Sequence, residues 1–466
     1  MTEKSKNILI YIFVFFVIFV FIGLKLINLT ARFGDHNVYF YMAKAVLDGS
    51  VPYRDFLLAD PPLLVLILAG LRIIFGNFLL LYQILPVLFE AATAFLLFLL
   101  LKKQGNLFAF FVPLFYLFSF SVLAISDFLT GVQLVMLFSI SGIFFWKKKM
   151  PFLSGVFWAM ACLIKLYAAP AFLGFVIYIF FEKNKKALFK FILGAVVPVV
   201  IIIAPFLFLA LPQMFKQLIV LHFNRPAGLN KFDVFSFFLL REWLLIASAF
   251  LGIYFSRKRE FFLPFFLTLI FLLLFQDIYY AYFGSIVAYL VIFAIVFINW
   301  LWLKSEKSRN VAIFLIIVYS IFILSSMGYY QSAFYNYNRF TNAQEVADFV
   351  KTLPDNLDIY GSHEIVPLVA LLSQRKIFGN YIETNSQAFA AGALNLEEVS
   401  EKAVKAGVFF IARITDFPEY NIKDFGYQGY FSQSVFEKNC QRIKSFSQVN
   451  AETPERIVTY KCLKND

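Results

Sequence analysis

Residues Pro151 to Phe181 read PFLSGVFWAMACLIKLYAAPAFLGFVIYIFF, an apolar run of 31 residues with one lysine, Lys165, at its middle. A helix crosses about 30 Å of hydrocarbon with about 20 residues, so this run is too long for one span and short for two. As a single span it would set Lys147–Lys149 on one side of a membrane and Lys183, Lys185 and Lys186 on the other. As two short helices turning near Lys165 it keeps both basic clusters on one side, as the excess of Lys and Arg in cytoplasmic loops requires. The hairpin is therefore the expected reading.

Working outward, the same test orders the rest of the chain. Of the 466 residues 61% are hydrophobic and 15% charged, against about 25% charged in a soluble domain. Apolar runs occupy Ile8–Leu29, Phe78–Leu101, Leu107–Ala124, Phe128–Trp146, Leu188–Leu211, Val234–Phe255, Phe261–Gln276, Ile278–Leu303 and Val311–Met327. Basic clusters fall between them at Lys102–Lys103, Arg257–Arg259 and Lys304 with Lys307 and Arg309. The net charge of +12 is thus dispersed as topology signals and not gathered into a stripe for nucleic acid. Pro61–Gly76 is apolar but would reach only about 24 Å as a helix, and it carries Arg72. Were it to cross, every basic cluster would lie outside, so an interfacial helix is expected there.

The resulting map has about eleven crossings in the plasma membrane, a cytoplasmic N-terminus and an extracytoplasmic C-terminus. Ile8–Leu29 is read as a retained anchor, because no small-residue cleavage site follows it. Composition changes at residue 328, which divides a transmembrane domain, 1–327, from a soluble domain, 328–466. Helical periodicity at Ala343–Leu353 and Leu396–Ala406 alternates with strand-like runs at Leu357–Tyr360, Val408–Ile414 and Arg456–Cys462, a pattern of a small α/β domain. Cys440 and Cys462 both fall in this domain, where a disulfide is possible if it faces an oxidising compartment; Cys162 lies in an apolar run and reads as inert core. No internal repeat is evident.

The map places Asp127, Lys165, the 212–233 loop and Asp277 on the same outer side as the first loop. That loop reads Gly34-Asp35-His36-Asn37-Val38-Tyr39, then Gly49, then Pro52-Tyr53-Arg54-Asp55-Phe56, then Asp60-Pro61-Pro62-Leu63. Val38–Leu47 has the pattern of an amphipathic helix ending at Gly49, with rigid corners at Pro52 and Pro61-Pro62.

A loop of this form resembles that of the GT-C glycosyltransferases, with protein O-mannosyltransferases and the aminoarabinose transferases of lipid A as the nearest kin. The likeness rests on an acidic residue after the first span, the Gly-x-x-Pro-Tyr-Arg-Asp-Phe turn and the following Pro-Pro-Leu, and covers roughly residues 1–230. Asp127, before the fourth span, and Lys165, ending a short helix, agree with it. Two positions depart: many relatives carry Asp-Glu where this chain has Asp35-His36, and His or Lys where Asp60 stands. The resemblance implies a polytopic α-helical GT-C-like fold of about eleven transmembrane helices with interfacial helices in the first loop. It also implies an inverting transfer of a sugar from a dolichyl- or undecaprenyl-phosphate donor to a protein, glycan or lipid acceptor at the outer face.

Such a reaction needs a base for the acceptor's proton and cations for the departing phosphate. Asp35 is the candidate base; a hydrated cap is its plain structural alternative. Asp127, the second catalytic candidate, positions the acceptor or holds the surroundings of Asp35, or else caps the fourth span. Lys165 either meets a phosphate or reaches the interface. Arg225, in His222-Phe223-Asn224-Arg225, suits a donor phosphate or a lipid headgroup. His36, Tyr39, Tyr53, Asp60 and His222 are candidate substrate contacts, and Arg54 and Asp55 either join them or pair to fold the loop. His36, His222 and His363 lack ligand spacing, so no protein-built metal site is expected, although carboxylates could hold a divalent ion. A transporter or lipid flippase is the alternative function; the absence of a repeat and the placement of acids at span ends argue against it.

Overall fold

The computed structural model describes residues 3–27, 29–103, 105–255, 258–332, 342–415, 430–447 and 455–463. Among the described residues six helices are long and apolar enough to cross a membrane: Ser5–Leu26, Leu79–Lys103, Lys185–Leu209, Lys231–Phe255, Tyr280–Lys304 and Glu306–Tyr330. Shorter apolar helices cover Leu63–Phe75, Val132–Lys147, Pro151–Ile164 and Leu166–Phe181. The protein is a multi-pass membrane protein with a small sheet-containing domain at its C-terminal end.

In chain order the helices are α1 (Glu3–Leu26), α2 (His36–Leu47), α3 (Leu63–Phe75), α4 (Leu79–Lys103), α5 (Val112–Leu117), α6 (Phe120–Ile125), α7 (Val132–Lys147), α8 (Pro151–Ile164) and α9 (Ala169–Phe181). There follow α10 (Lys185–Leu209), α11 (Leu211–Phe215), α12 (Leu221–Asn224), α13 (Lys231–Phe255), α14 (Arg259–Leu274), α15 (Gly284–Lys304) and α16 (Glu306–Tyr330). As expected, the 151–181 run breaks at Lys165, which is extended (φ −147°, ψ 133°) between α8 and α9. The run Leu107–Ala124, by contrast, is not one continuous helix. It divides at Phe118–Ser119, where the Ser119 hydroxyl accepts from the Val122 amide and starts a new helix. Around the break, Phe115–Ala124 are all buried in protein, the condition under which interrupted backbone is tolerated at membrane depth.

Chain contacts define two compact units. The first comprises residues 1–28, 83–202 and 227–334. Its core includes Phe21, Phe98, Tyr116, Trp158, Phe191 and Tyr289. Glycines let backbones meet there: a Cβ on Gly155 of α8 would lie 1.9 Å from the Phe191 carbonyl oxygen, and one on Gly194 of α10 would lie 2.0 Å from that of Phe152. Small residues at helix contacts are the usual device for close packing in lipid, where apolar burial between helices supplies little drive.

The second unit comprises residues 29–82, 203–226 and 335–466. Its C-terminal part adds α17 (Ala343–Lys351), β1 (Asp358–Gly361), α18 (Val366–Ser373), α19 (Ser386–Ala390), α20 (Leu396–Ala406), β2 (Val408–Thr415), α21 (Gln433–Asn439), β3 (Cys440–Ser447) and β4 (Glu455–Cys462). The strands form one sheet in the order β1-β2-β4-β3, with β1 parallel to β2 and the other pairs antiparallel. Strand β3 escapes a sequence reading because Cys440–Ser447 is largely exposed and polar, with Phe446 its one buried side chain. Cys440 and Cys462 sit opposite one another in the β3–β4 register and form a disulfide. In the same unit α2 packs against α3 and against α18, so the first loop and the C-terminal domain share one body.

Candidate functional site

The site is built where α2 begins. Gly34, at φ 148°, makes a turn that a side chain would strain. Buried Asn37 locks that turn by donating to the carbonyls of Arg32 (2.7 Å) and Gly34 (3.1 Å). Asp35 precedes α2 but its side chain makes no capping bond. Its carboxylate is 64% exposed and lies 3.3 Å from His363 Nε2. Asp35 thus contacts a residue far along the chain.

A second cluster holds the corner between α2 and α3. The Tyr39 hydroxyl donates to Asp60 Oδ2 (2.7 Å) and the Tyr53 hydroxyl donates to the Asp60 carbonyl (2.8 Å). Tyr53 is buried, its ring edge-on to Phe206, at φ 69°. That left-handed backbone is uncommon for a bulky residue and marks a position the surroundings enforce. The π-helical turn Lys216–Val220 supplies Gln217, which donates to the Tyr53 carbonyl (2.8 Å) and accepts from the Leu58 amide (2.9 Å). His222 Nε2 donates to the Ala59 carbonyl (2.7 Å). Among the candidates, Tyr39, Tyr53, Asp60 and His222 are thus brought together. Arg54 binds Asp55 through two parallel contacts of 2.8 Å, and Asp55 also accepts from the Val51 amide. That pair folds the turn, and Arg54 holds the Asp55 carboxyl below its ordinary range. His36 is buried with its ring edge-on to Phe40, a core position and not one facing solvent.

Electrostatics tie these groups to the C-terminal domain. Burial raises the Glu383 carboxyl above its usual range; the His363 charge opposes this, Asp35 adds to it, Arg225 opposes it, and Asp60 adds again. Five charged side chains therefore share one neighbourhood. For His363, burial disfavours the charged ring, but the hydrogen bond and charge of Asp35, with Glu383 and Glu364 behind, push it up to about 9. Asp35, His363 and Glu364 each offer a ligand atom within 4.8 Å of one another, a trio able to approach a divalent cation that residue spacing did not anticipate. The Nε2–Oδ1 separation of 3.3 Å is also the range of a hydrogen bond, for which a proton suffices.

His363 and Glu383 are the functional candidates that sequence reasoning missed. The available cue was position: His363 follows directly on a short strand-like run, and strand ends are where α/β domains present chemistry.

In the first unit Asp127 is buried, and its oxygens meet Lys25 Nζ (3.0 Å) and the Tyr330 hydroxyl (2.7 Å). It does not cap the following helix, whose N-cap is Gly131. Lys165 is half-buried at the end of α8. Nearby in that unit, buried Glu242 accepts from the Ser121 amide and hydroxyl, both at 2.8 Å.

Two solved structures of ArnT from Cupriavidus metallidurans resemble this architecture end to end. The one bound to undecaprenyl phosphate superposes with a TM-score of 0.62 over 98% of both chains at 13% identity. The apo form gives 0.60 over the same shares at 12% identity. The fold is that of the GT-C glycosyltransferases. No family model matches the sequence, nor does any curated protein. The GT-C likeness extends over the C-terminal sheet domain, well past the residues on which the sequence resemblance rested.

Proposed function

We propose that the protein transfers a sugar from a polyprenyl-phosphate donor to a protein, glycan or lipid acceptor at the outer face of the plasma membrane. The observation that supports this most is the GT-C fold shared along the whole chain with an ArnT structure that holds undecaprenyl phosphate. The exposed Asp35 carboxylate at the start of α2 is consistent with a base open to an acceptor. The Cys440–Cys462 disulfide favours an oxidising, extracytoplasmic setting for the C-terminal domain.

In this reading the acceptor oxygen bonds to the anomeric carbon as that carbon's bond to the phosphate oxygen breaks, with inversion. The acceptor's proton passes to Asp35. The bonding pair leaves on the polyprenyl phosphate, whose added negative charge Arg225 offsets. Within the first unit, Lys165 is a candidate contact for a lipid phosphate. Asp127 serves by holding the helices of that unit, through Lys25 and Tyr330.

The test is transfer by the full protein in nanodiscs, using a panel of undecaprenyl-phosphate monosaccharides and membrane extracts as acceptor. Asp35→Asn should lower turnover by about 10²–10⁴-fold. Full activity in that variant rejects the base assignment, and vesicle flux without sugar transfer rejects the transferase.

A further inference from the structure

We infer that the C-terminal domain contributes a positioning residue to the transfer site: His363 holds the Asp35 carboxylate in the orientation that receives the acceptor's proton. This rests on the reading of Asp35 as the base. It assigns to residues beyond 342 a part in the reaction that neither the first loop nor the fold requires of them.

The first argument is that Asp35 is tethered twice by consecutive residues of the C-terminal domain. The Gly34 amide donates to the Glu364 carbonyl at 3.0 Å, and the next residue along, Asp35, meets His363 at 3.3 Å. One contact fixes the backbone from which the carboxylate projects, and the other fixes its rotation. The carboxylate keeps 64% of its surface open to an acceptor while the imidazole holds it from one side. Displacement of a reacting group by about 1 Å can cost 10²-fold in rate.

The second argument is that His363 is itself held rigidly. It follows β1, whose Gly361 carbonyl accepts from the Thr384 hydroxyl at 2.7 Å. The Ser362 amide donates to Ile411 of β2 at 3.0 Å, and the Ser362 carbonyl accepts from the amides of Ile365 and Val366. The imidazole is 14% exposed, with the Tyr430 ring alongside. Groups borne on a sheet end keep their geometry better than groups borne on a free loop.

The third argument is that the same domain secures the helix that carries Asp35. The Tyr41 hydroxyl accepts from the Ile377 amide at 2.9 Å, and Asn380 Nδ2 donates to the Ser50 hydroxyl at 3.3 Å. Contacts at both ends and the middle of α2 thus come from one partner. His363 breaks no bond and keeps its proton; it acts through Asp35.

The experiment compares His363→Ala, His363→Gln and Asp35→Asn in the full protein, using the undecaprenyl-phosphate sugar that the donor panel finds active. Undecaprenyl phosphate binding and thermal unfolding are measured alongside. His363→Ala should lower kcat by about 10–100-fold, with KM for the donor and binding of undecaprenyl phosphate held within about 3-fold. His363→Gln, whose amide N–H can donate from the same place, should restore most of the rate. Wild-type kcat in His363→Ala beside an inactive Asp35→Asn overturns the inference and leaves the base intact. An active Asp35→Asn overturns both. Equal losses of kcat, binding and melting temperature in Ala and Gln alike overturn it in favour of a scaffold contact. Activity lost on treatment with EDTA and restored by Zn²⁺ overturns it in favour of a metal ligand.

Discussion

Lys25 and Asp127, 102 residues apart in the chain, form an ion pair at 3.0 Å with side chains only 2% and 1% exposed. Tyr330 joins them, its hydroxyl accepting from Lys25 and donating to Asp127, both at 2.7 Å. Helices α1 and α16 and the turn that follows α6 are joined at one point by these groups. Charges so placed are tolerated because they neutralise one another.

Removal of Lys25 takes away a cation that faces a buried carboxylate. Lys25→Met should therefore destabilise the protein by about 3–5 kcal/mol, read as a lower melting temperature in detergent. Adding Asp127→Asn should recover part of that loss. If the double variant is no better than the single, the pair is not the source of the effect.

The His363 ring is charged through neutral pH because its folded value is pushed up to about 9 from 6.5. A raised value means that its stabilisation is complete below pH 6.5 and disappears as pH rises through about 9. The melting-temperature difference between wild type and His363→Gln should be largest near pH 6 and vanish by about pH 10. A gap that widens with pH would contradict the contacts with Asp35, Glu383 and Glu364.

Gly155 has backbone 1.9 Å from where a Cβ would stand. Backbone cannot yield as a flexible side chain can, so Gly155→Leu should separate α8 from α10 and cost about 3 kcal/mol or more. Gly70, with nothing within 4 Å of its Cβ position, is the control: Gly70→Ala should match or slightly exceed wild-type stability.

The Cys440–Cys462 bridge should make the protein migrate differently with and without reductant, and Cys440→Ser should cost about 2–4 kcal/mol. Asp48 is an exposed end of α2. In a Cys162→Ala background, Asp48→Cys should react with an impermeant maleimide added to intact cells. Reaction only after permeabilisation would reverse the proposed orientation of the first loop.

The sequence by itself determined the membrane character, the helix runs other than the divided Leu107–Ala124, the break at Lys165 and the helices of the first loop. Each of these follows from local chemistry: apolar length against bilayer thickness, helical periodicity, and the backbone limits of Pro and Gly. The alternation of helix and strand in the tail was legible for the same reason, except β3, whose polar, exposed face gives no periodic signal. Tertiary structure alone decided that Asp35 meets His363, that Asp127 meets Lys25 rather than a helix end, and that His36 lies in a core. Pairings between distant residues are chosen by how whole elements pack, and neither member of such a pair carries a mark of its partner in its own neighbourhood.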